Sequence, residues 1–305
     1  MSPTSRSLQP KWRIPLFLLL LLLPLGAAEV YVRSLPNPSK YKHAYLTRHS
    51  REVDLLVLGS SHTYYGLCPE RLSPHAFSAA QVSQTLKYDA YLLRHYPFPR
   101  LRTVVLPVSD FTLYEELENT GEWYLANRYR LYMDCDLHGP LSVYNWEVTA
   151  FRPFCEKLKS LWEKPKMTWS AQGQGLEYRT EARGPRWDDG AAAARRNRYD
   201  DFSAGDRGVA YLESIAQYCR AHGAALWLVS TPLRPSYRAA VSPAQEADMQ
   251  QRLARFLRTH PEVRYLDFRA HPAFLPQDFF DADHLSLSGA QKFSDLLRSY
   301  LEKDN

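Results

Sequence analysis

The most apolar stretch of the chain comes first. Ile14 to Ala28 carries no charge and includes six consecutive leucines, Leu18 to Leu23, behind a flank that holds Arg6, Lys11 and Arg13. Basic flank, apolar run and then the small residues Gly26-Ala27-Ala28 is the order of an export segment. The run is about fifteen residues where a span needs roughly 20; Val30 and Tyr31 can extend it past Glu29, and the small residues equally permit cleavage after Ala28. Anchor and cleaved peptide both fit residues 1–33. In either case the positive flank stays inside, and residues 34–305 lie on the extracytoplasmic side, as a single-pass membrane protein or a secreted one.

Downstream the pattern changes to short apolar runs alternating with helical periodicity. Val53 to Leu58 reads as a buried parallel strand closed by Gly59, Gln81 to His95 as a helix with Leu86, Ala90 and Leu93 on one face, and Thr103 to Val108 as a second strand. The alternation returns after residue 205. Val209 to His222 is expected as a helix and Ala225 to Val229 as a strand. Ser242-Pro243-Ala244-Gln245 then opens a helix with a capping box, Val263 to Asp267 is a strand, and Phe293, Leu296, Leu297, Tyr300 and Leu301 stripe a closing helix. Such alternation predicts an α/β domain with a doubly wound, mainly parallel sheet.

Between these halves, about residues 113–201, the periodicity fails and five of the seven tryptophans occur: Trp123, Trp146, Trp162, Trp169 and Trp187. Flexible linkers are poor in aromatics, so this is an insertion within the 34–305 domain, with either a subcore of its own or a surface facing a glycan or a protein. Arg195, Arg196 and Arg198, after four alanines, read as a solvated basic turn.

Composition narrows the class. The 305 residues are 45% hydrophobic and 23% charged, with 38 Lys and Arg against 33 Asp and Glu, a formal charge of +5. Disorder, collagen and a polytopic membrane protein are excluded, and the balance is too even to argue for a nucleic-acid partner. Cys68, Cys135, Cys155 and Cys219 are an even set in an exported chain, which allows disulfides, with Cys135 and Cys155 the first pair to expect. No CxxC or Cys/His ligand spacing occurs, so no metal is expected.

Two polar blocks carry candidate chemistry. Gly59-Ser60-Ser61-His62 closes the first strand, where backbone N–H groups of the next turn favour an anion and a hydroxyl can act as nucleophile. Thr63 stands where a Gly-x-Ser-x-Gly elbow would have its second glycine. Asp281-Ala282-Asp283-His284 precedes the last helix: a neutral imidazole can take the serine proton, and a carboxylate three residues away can turn to its far nitrogen. Asp281 is the first choice for that acid and Asp283 the alternative, while an Asp that merely caps the helix is the structural reading of the same block. A doubly wound sheet can bring both blocks to one edge.

Together the blocks resemble the SGNH/GDSL hydrolase superfamily, with Ser61 at the nucleophile position, Asp281 at the orienting acid and His284 at the base. The resemblance covers residues 50–112 and 205–305. It implies a flavodoxin-like three-layer sandwich and a cofactor-free serine esterase. The basic N-terminus, apolar anchor and Gly-Ser-Ser-His start are most similar to the envelope acyl-transfer branch of alginate O-acetylation and teichoic-acid D-alanylation. That branch implies an extracytoplasmic esterase or O-acyltransferase on a cell-surface glycan, beside a membrane-bound O-acyltransferase. The glycine and asparagine that the superfamily offers its oxyanion are missing, because the corresponding regions read Ser78-Ala79-Ala80 and Val108-Ser109-Asp110-Phe111. The expected replacements are backbone N–H groups of Ser61 and the 78–80 turn, with Ser83, Gln84 or Ser109 as side-chain donors. Asp110 is a neighbour of the wrong charge, and His62 is a substrate contact. The rival expectation is an inactive scaffold that binds glycan or serves as an assembly factor.

Overall fold

The structure, a computed structural model, describes residues 10–163 and 168–303; Arg6 of the basic flank lies outside them. By internal contact the chain forms two units, Met1–Asn37 with Asn127–Met167, and Pro38–Ala126 with Thr168–Asn305.

The first unit is built on helix α1, Pro10–Ser34, of which Lys11–Ser34 is long and apolar enough to cross a membrane. The helix runs through Glu29 because the carboxylate has partners: it accepts the amides of Glu147 at 2.8 Å and Val148 at 2.9 Å, and Arg33 donates to it at 2.7 Å. A buried charge persists where it is paired and hydrogen-bonded in this way. The rest of the unit holds two short helices, α6 at Asn127–Tyr132 and α7 at Phe151–Leu158. Tyr129, Met133, Cys135 and Phe154 are buried, and so is Glu147, which accepts from Asn127, Tyr132 and Lys157.

The second unit starts with α2 (Pro38–His49), β1 (Leu55–Val57), α3 (Ser61–Gly66), α4 (Pro69–Leu72), β2 (Ala76–Ser78), α5 (Leu86–His95) and β3 (Thr103–Pro107). After the first unit's segment come α8 (Gly190–Arg196), α9 (Gly205–Ala221), β4 (Ala225–Ser230), α10 (Pro235–Arg238), α11 (Pro243–Thr259), β5 (Arg264–Asp267) and α12 (Leu287–Leu301). The five strands pair in parallel, in the order β2-β1-β3-β4-β5, with Leu56 opposite Phe77 and Val104, and Leu228 opposite Leu106 and Tyr265. β1 and β3 are buried along their whole length, as strands covered on both faces must be. Leu55, Val57, Val105, Trp227, Val229, Phe293 and Leu297 form one core. This is the doubly wound α/β sheet expected, and its order reverses between β1 and β3, where such sheets open a crevice at the carboxyl ends of the strands.

Several expectations shift. β2 was not foreseen: Ala76-Phe77-Ser78 is too short for periodicity to register, and its pairing with β1 creates it. The helix expected from Gln81 begins at Leu86, since residues 81–85 form a turn. Ser242 caps α11 through the Gln245 amide, but the Gln245 side chain donates instead to the carbonyls of Asp110 and Asn197. The aromatic segment divides: residues 127–163 join α1, whereas Trp123, Trp169 and Trp187 belong to the sheet unit. No disulfide forms; all four cysteines are free thiols, with Cys135 buried and Cys155 exposed.

Candidate active site

The crevice at the reversal point is shaped by backbone first. Gly59 adopts φ of +102°, and a Cβ there would lie 2.1 Å from Pro107 Cγ, so only glycine lets the end of β1 turn against the end of β3. Its amide donates to Asp89 Oδ1 at 2.8 Å, and Thr63 Oγ1 donates to the Leu58 carbonyl at 2.7 Å. These bonds hold the turn that sets Ser61 as the first residue of α3.

The second block arrives from the loop before α12. An antiparallel bridge between Phe279 and Leu285 closes it, and the Phe280 amide donates to the His284 carbonyl at 2.9 Å. Asp281 organises its interior by accepting the amides of Asp283 at 3.1 Å and His284 at 2.8 Å. Ser286, rather than either aspartate, caps α12, accepting from the Gly289 amide.

The two blocks meet. His284 Nε2 lies 2.8 Å from Ser61 Oγ, and Nδ1 lies 3.0 and 3.1 Å from the two oxygens of Asp281. Asp283 also reaches that nitrogen at 3.5 Å, while its other oxygen is 3.6 Å from His62 Nε2. His62 Nδ1 lies 2.9 Å from Ser109 Oγ. Burial opposes the charged imidazolium of His284, but the carboxylates of Asp283 and Asp281 outweigh it and push its pKa up to about 10. Burial pushes Asp283 upward as well, yet the facing rings of His284 and His62 hold it well below the usual carboxylate range. His62, fully enclosed, is held below its ordinary value by burial.

A cleft of about 640 Å³ opens over Ser61 and His284. Tyr178 lines it as part of a stack of rings, 3.8 Å from Tyr65 and 4.0 Å from Phe280, centroid to centroid, and forms a T-shaped pair with His284 at 5.2 Å. Ser83 and Glu115 also line the cleft, and burial together with Glu122 and Asp89 pushes the Glu115 carboxyl up to about 8. Arg196 and Asn197, at the end of α8, approach the two oxygens of Asp283 at 3.5 and 3.4 Å. The arginine cluster is thus not simply a solvated turn. Among the described residues, His62, Asp283 and His284 also offer ligand atoms of metal-binding type within 4.8 Å of one another, although Asp281 already bonds the His284 ring.

The oxyanion candidates are placed less favourably. The amides of Ser78 and Ala79 donate at 2.8 Å to the carbonyls of Gln172 and Val57, which removes the 78–80 turn as a source of those two donors. Ser83 lines the cleft, its hydroxyl bonded to Glu122; Gln84 donates to Asp89 at 2.6 Å; Ser109 is engaged with His62. Asp110 does not line the cleft; the Tyr237 hydroxyl donates to it at 3.1 Å, and burial pushes its carboxyl up to about 7, which weakens its opposition to an anion at Ser61 at neutral pH. His62 reaches the cleft wall but is only 3% exposed, and its ring nitrogens face Ser109 and Asp283 rather than open space. The Ser61 amide, in the first turn of α3, has no intrahelical acceptor. Tyr178, Arg196 and Asn197 escaped sequence reasoning, because they come from a segment without periodicity and reach the site only through the fold.

No family model matches the chain, and no curated protein matches it. Among solved structures, the chain is similar to a protein of Streptococcus pneumonia described as a platelet activating factor, at 12% identity and a TM-score of 0.44 over 94% of this chain and 99% of that one. It is similar to a Bacteroides fragilis protein described as an acylhydrolase, at 10% identity and 0.42 over 88% and 99%. A GDSL-like lipase of Bacteroides thetaiotaomicron matches at 12% and 0.43 over 88% and 100%.

Proposed function

We propose that the chain is a serine esterase or O-acyltransferase of SGNH type, acting on small acyl groups of a cell-envelope or exported glycan, with α1 as its membrane anchor and its catalytic unit extracytoplasmic. The observation that carries this reading is the unbroken chain from Ser61 Oγ through His284 to Asp281. Ser61 Oγ attacks the acyl carbonyl carbon while its proton passes to His284 Nε2. Collapse of the tetrahedral intermediate expels the donor oxygen, which takes that proton, and leaves the acyl group on Ser61. Water or a sugar hydroxyl then loses its proton to His284 and removes the acyl group by the reverse sequence. Asp281 fixes the tautomer through Nδ1, and the Ser61 amide, in the first turn of α3, is the backbone donor offered to the oxyanion. No cofactor enters these steps. A membrane-bound O-acyltransferase is the partner that suits a transferase, as the source of the acyl group, and the basic residues Lys11 and Arg13 at the N-terminal end of α1 support the orientation.

The commitment of the Ser78 and Ala79 amides favours a second reading, a catalytically inactive scaffold that binds glycan or assists assembly. Treating the full chain with a fluorophosphonate probe between pH 7 and 10 separates the two. Peptide mass spectrometry is expected to find the adduct on Ser61, and to find none in folded Ser61→Ala or His284→Ala. Folded wild-type protein that never labels, yet retains a glycan, points to the second reading.

A further inference from the structure

Outside α1, eight large hydrophobic side chains are exposed among the described residues, and seven of them lie within residues 137–162; Leu275 is the eighth. Single exposed apolar residues are ordinary, but such a concentration marks a surface that meets something apolar. Its most exposed members are Leu141 at 99% and Trp162 at 82%, with Trp146, Phe151 and Leu161 also in the open.

This segment is fastened to one end of α1 within the first unit. Glu29 accepts the amides of Glu147 and Val148, Arg33 donates to the Asn145 carbonyl at 2.6 Å and lies 5.2 Å from the centre of the Trp146 ring, and Tyr31 bonds Ser160 at 3.1 Å. Trp146 and Trp162 therefore sit one or two residues from clamps at helix positions 29–33. At 1.5 Å per residue, Trp12 and Tyr31 are about 30 Å apart, the thickness of a hydrocarbon core, so positions 29–33 fall where that core ends. Indoles are favoured at that depth, since the ring is apolar and its N–H reaches polar headgroups.

We propose that residues 137–162 dock on the membrane beside α1, with Leu141, Trp146, Phe151, Leu161 and Trp162 in the boundary between headgroups and acyl chains. This rests on the reading of α1 as a spanning anchor and is independent of catalysis at Ser61. Residues 127–163 hold five Lys and Arg against five Asp and Glu, so the occupant is a zwitterionic lipid surface, held by apolar and indole contact without help from anionic headgroups.

The test is made on the full chain in phosphatidylcholine vesicles, with lipids brominated either near the headgroup or at the chain midpoint. Wild-type tryptophan fluorescence is expected to be quenched most by the shallow bromines. Of the three indoles placed in lipid, Trp12 alone remains in the W146F/W162F variant, which is expected to lose about two-thirds of the shallow quenching. Leu141→Asp, at a side chain with no part in the core, is expected to reduce it as well. Retention of the chain after alkaline carbonate extraction, with shallow quenching unchanged in both variants, overturns the docked segment, as it would be for a surface reserved for a protein partner. Release by carbonate overturns the anchor and the proposal together. Failure of Ser61 to label on the same vesicles removes the catalytic reading and leaves the docking intact.

Discussion

Asp283 places one carboxylate oxygen 3.5 Å from Nδ1 of His284, the ring nitrogen that Asp281 already approaches at 3.0 Å. Two negative groups on one nitrogen stabilise the imidazolium well beyond what a single orienting acid provides, which is why the His284 pKa is pushed up to about 10. In the proposed reaction the free base is needed, so Ser61 reactivity should climb with pH towards that value.

Removing one carboxylate should move this limb. In Asp283→Asn the midpoint of the pH profile for Ser61 labelling is expected to shift acidward, with reactivity at neutral pH maintained or raised. Asp281→Asn should instead lose the orienting bond, with a fall in rate of about 10³- to 10⁴-fold. Rates of fluorophosphonate labelling from pH 6 to 10 check both, and an unmoved midpoint in Asp283→Asn would refute the shared-nitrogen account.

The same group links folding to pH. His284 binds its proton more tightly folded than unfolded, with an ordinary value of 6.5 raised to about 10, so its contribution is fully present below pH 6.5 and is lost as pH rises towards 10. Chemical denaturation across that window should show a decline in stability that Asp283→Asn and Asp281→Asn each flatten.

Gly59 can be tested by a single methyl group. In Gly59→Ala the new Cβ meets the Pro107 ring at 2.1 Å in a backbone region closed to L side chains. We expect a loss of about 2–4 kcal/mol in unfolding free energy, read as a lower thermal midpoint. Ser61 labelling should fall with it, because the turn that carries the nucleophile moves.

The thiols should be distinguishable by access. Alkylation of the native protein is expected at Cys155, whereas Cys68, Cys135 and Cys219 should react only after unfolding; burial pushes the Cys68 thiol up to about 11 and Cys219 up to about 12. Peptide mapping before and after denaturant reads this directly.

The features legible from the amino-acid order are those whose physics is local. A charge-free run behind basic residues, apolar strands closed by glycine and an aspartate three residues before a histidine each declare themselves within one short window. On that basis the α/β alternation, the turn at Ser61 and the pairing of Asp281 with His284 were all readable. What escaped depends on partners distant in the chain. β2 exists because β1 lies beside it, and Glu29 is tolerated in an apolar helix because the amides at 147 and 148 reach it. Asp283 shares its charge between two imidazoles because the fold brings His62 behind His284. The aromatic segment was legible as unusual but not as divided. Burial belongs to the assembled surface, so whether a tryptophan fills a core, as Trp169 does, or stands in the open, as Trp162 does, is settled only when the chain has closed around it.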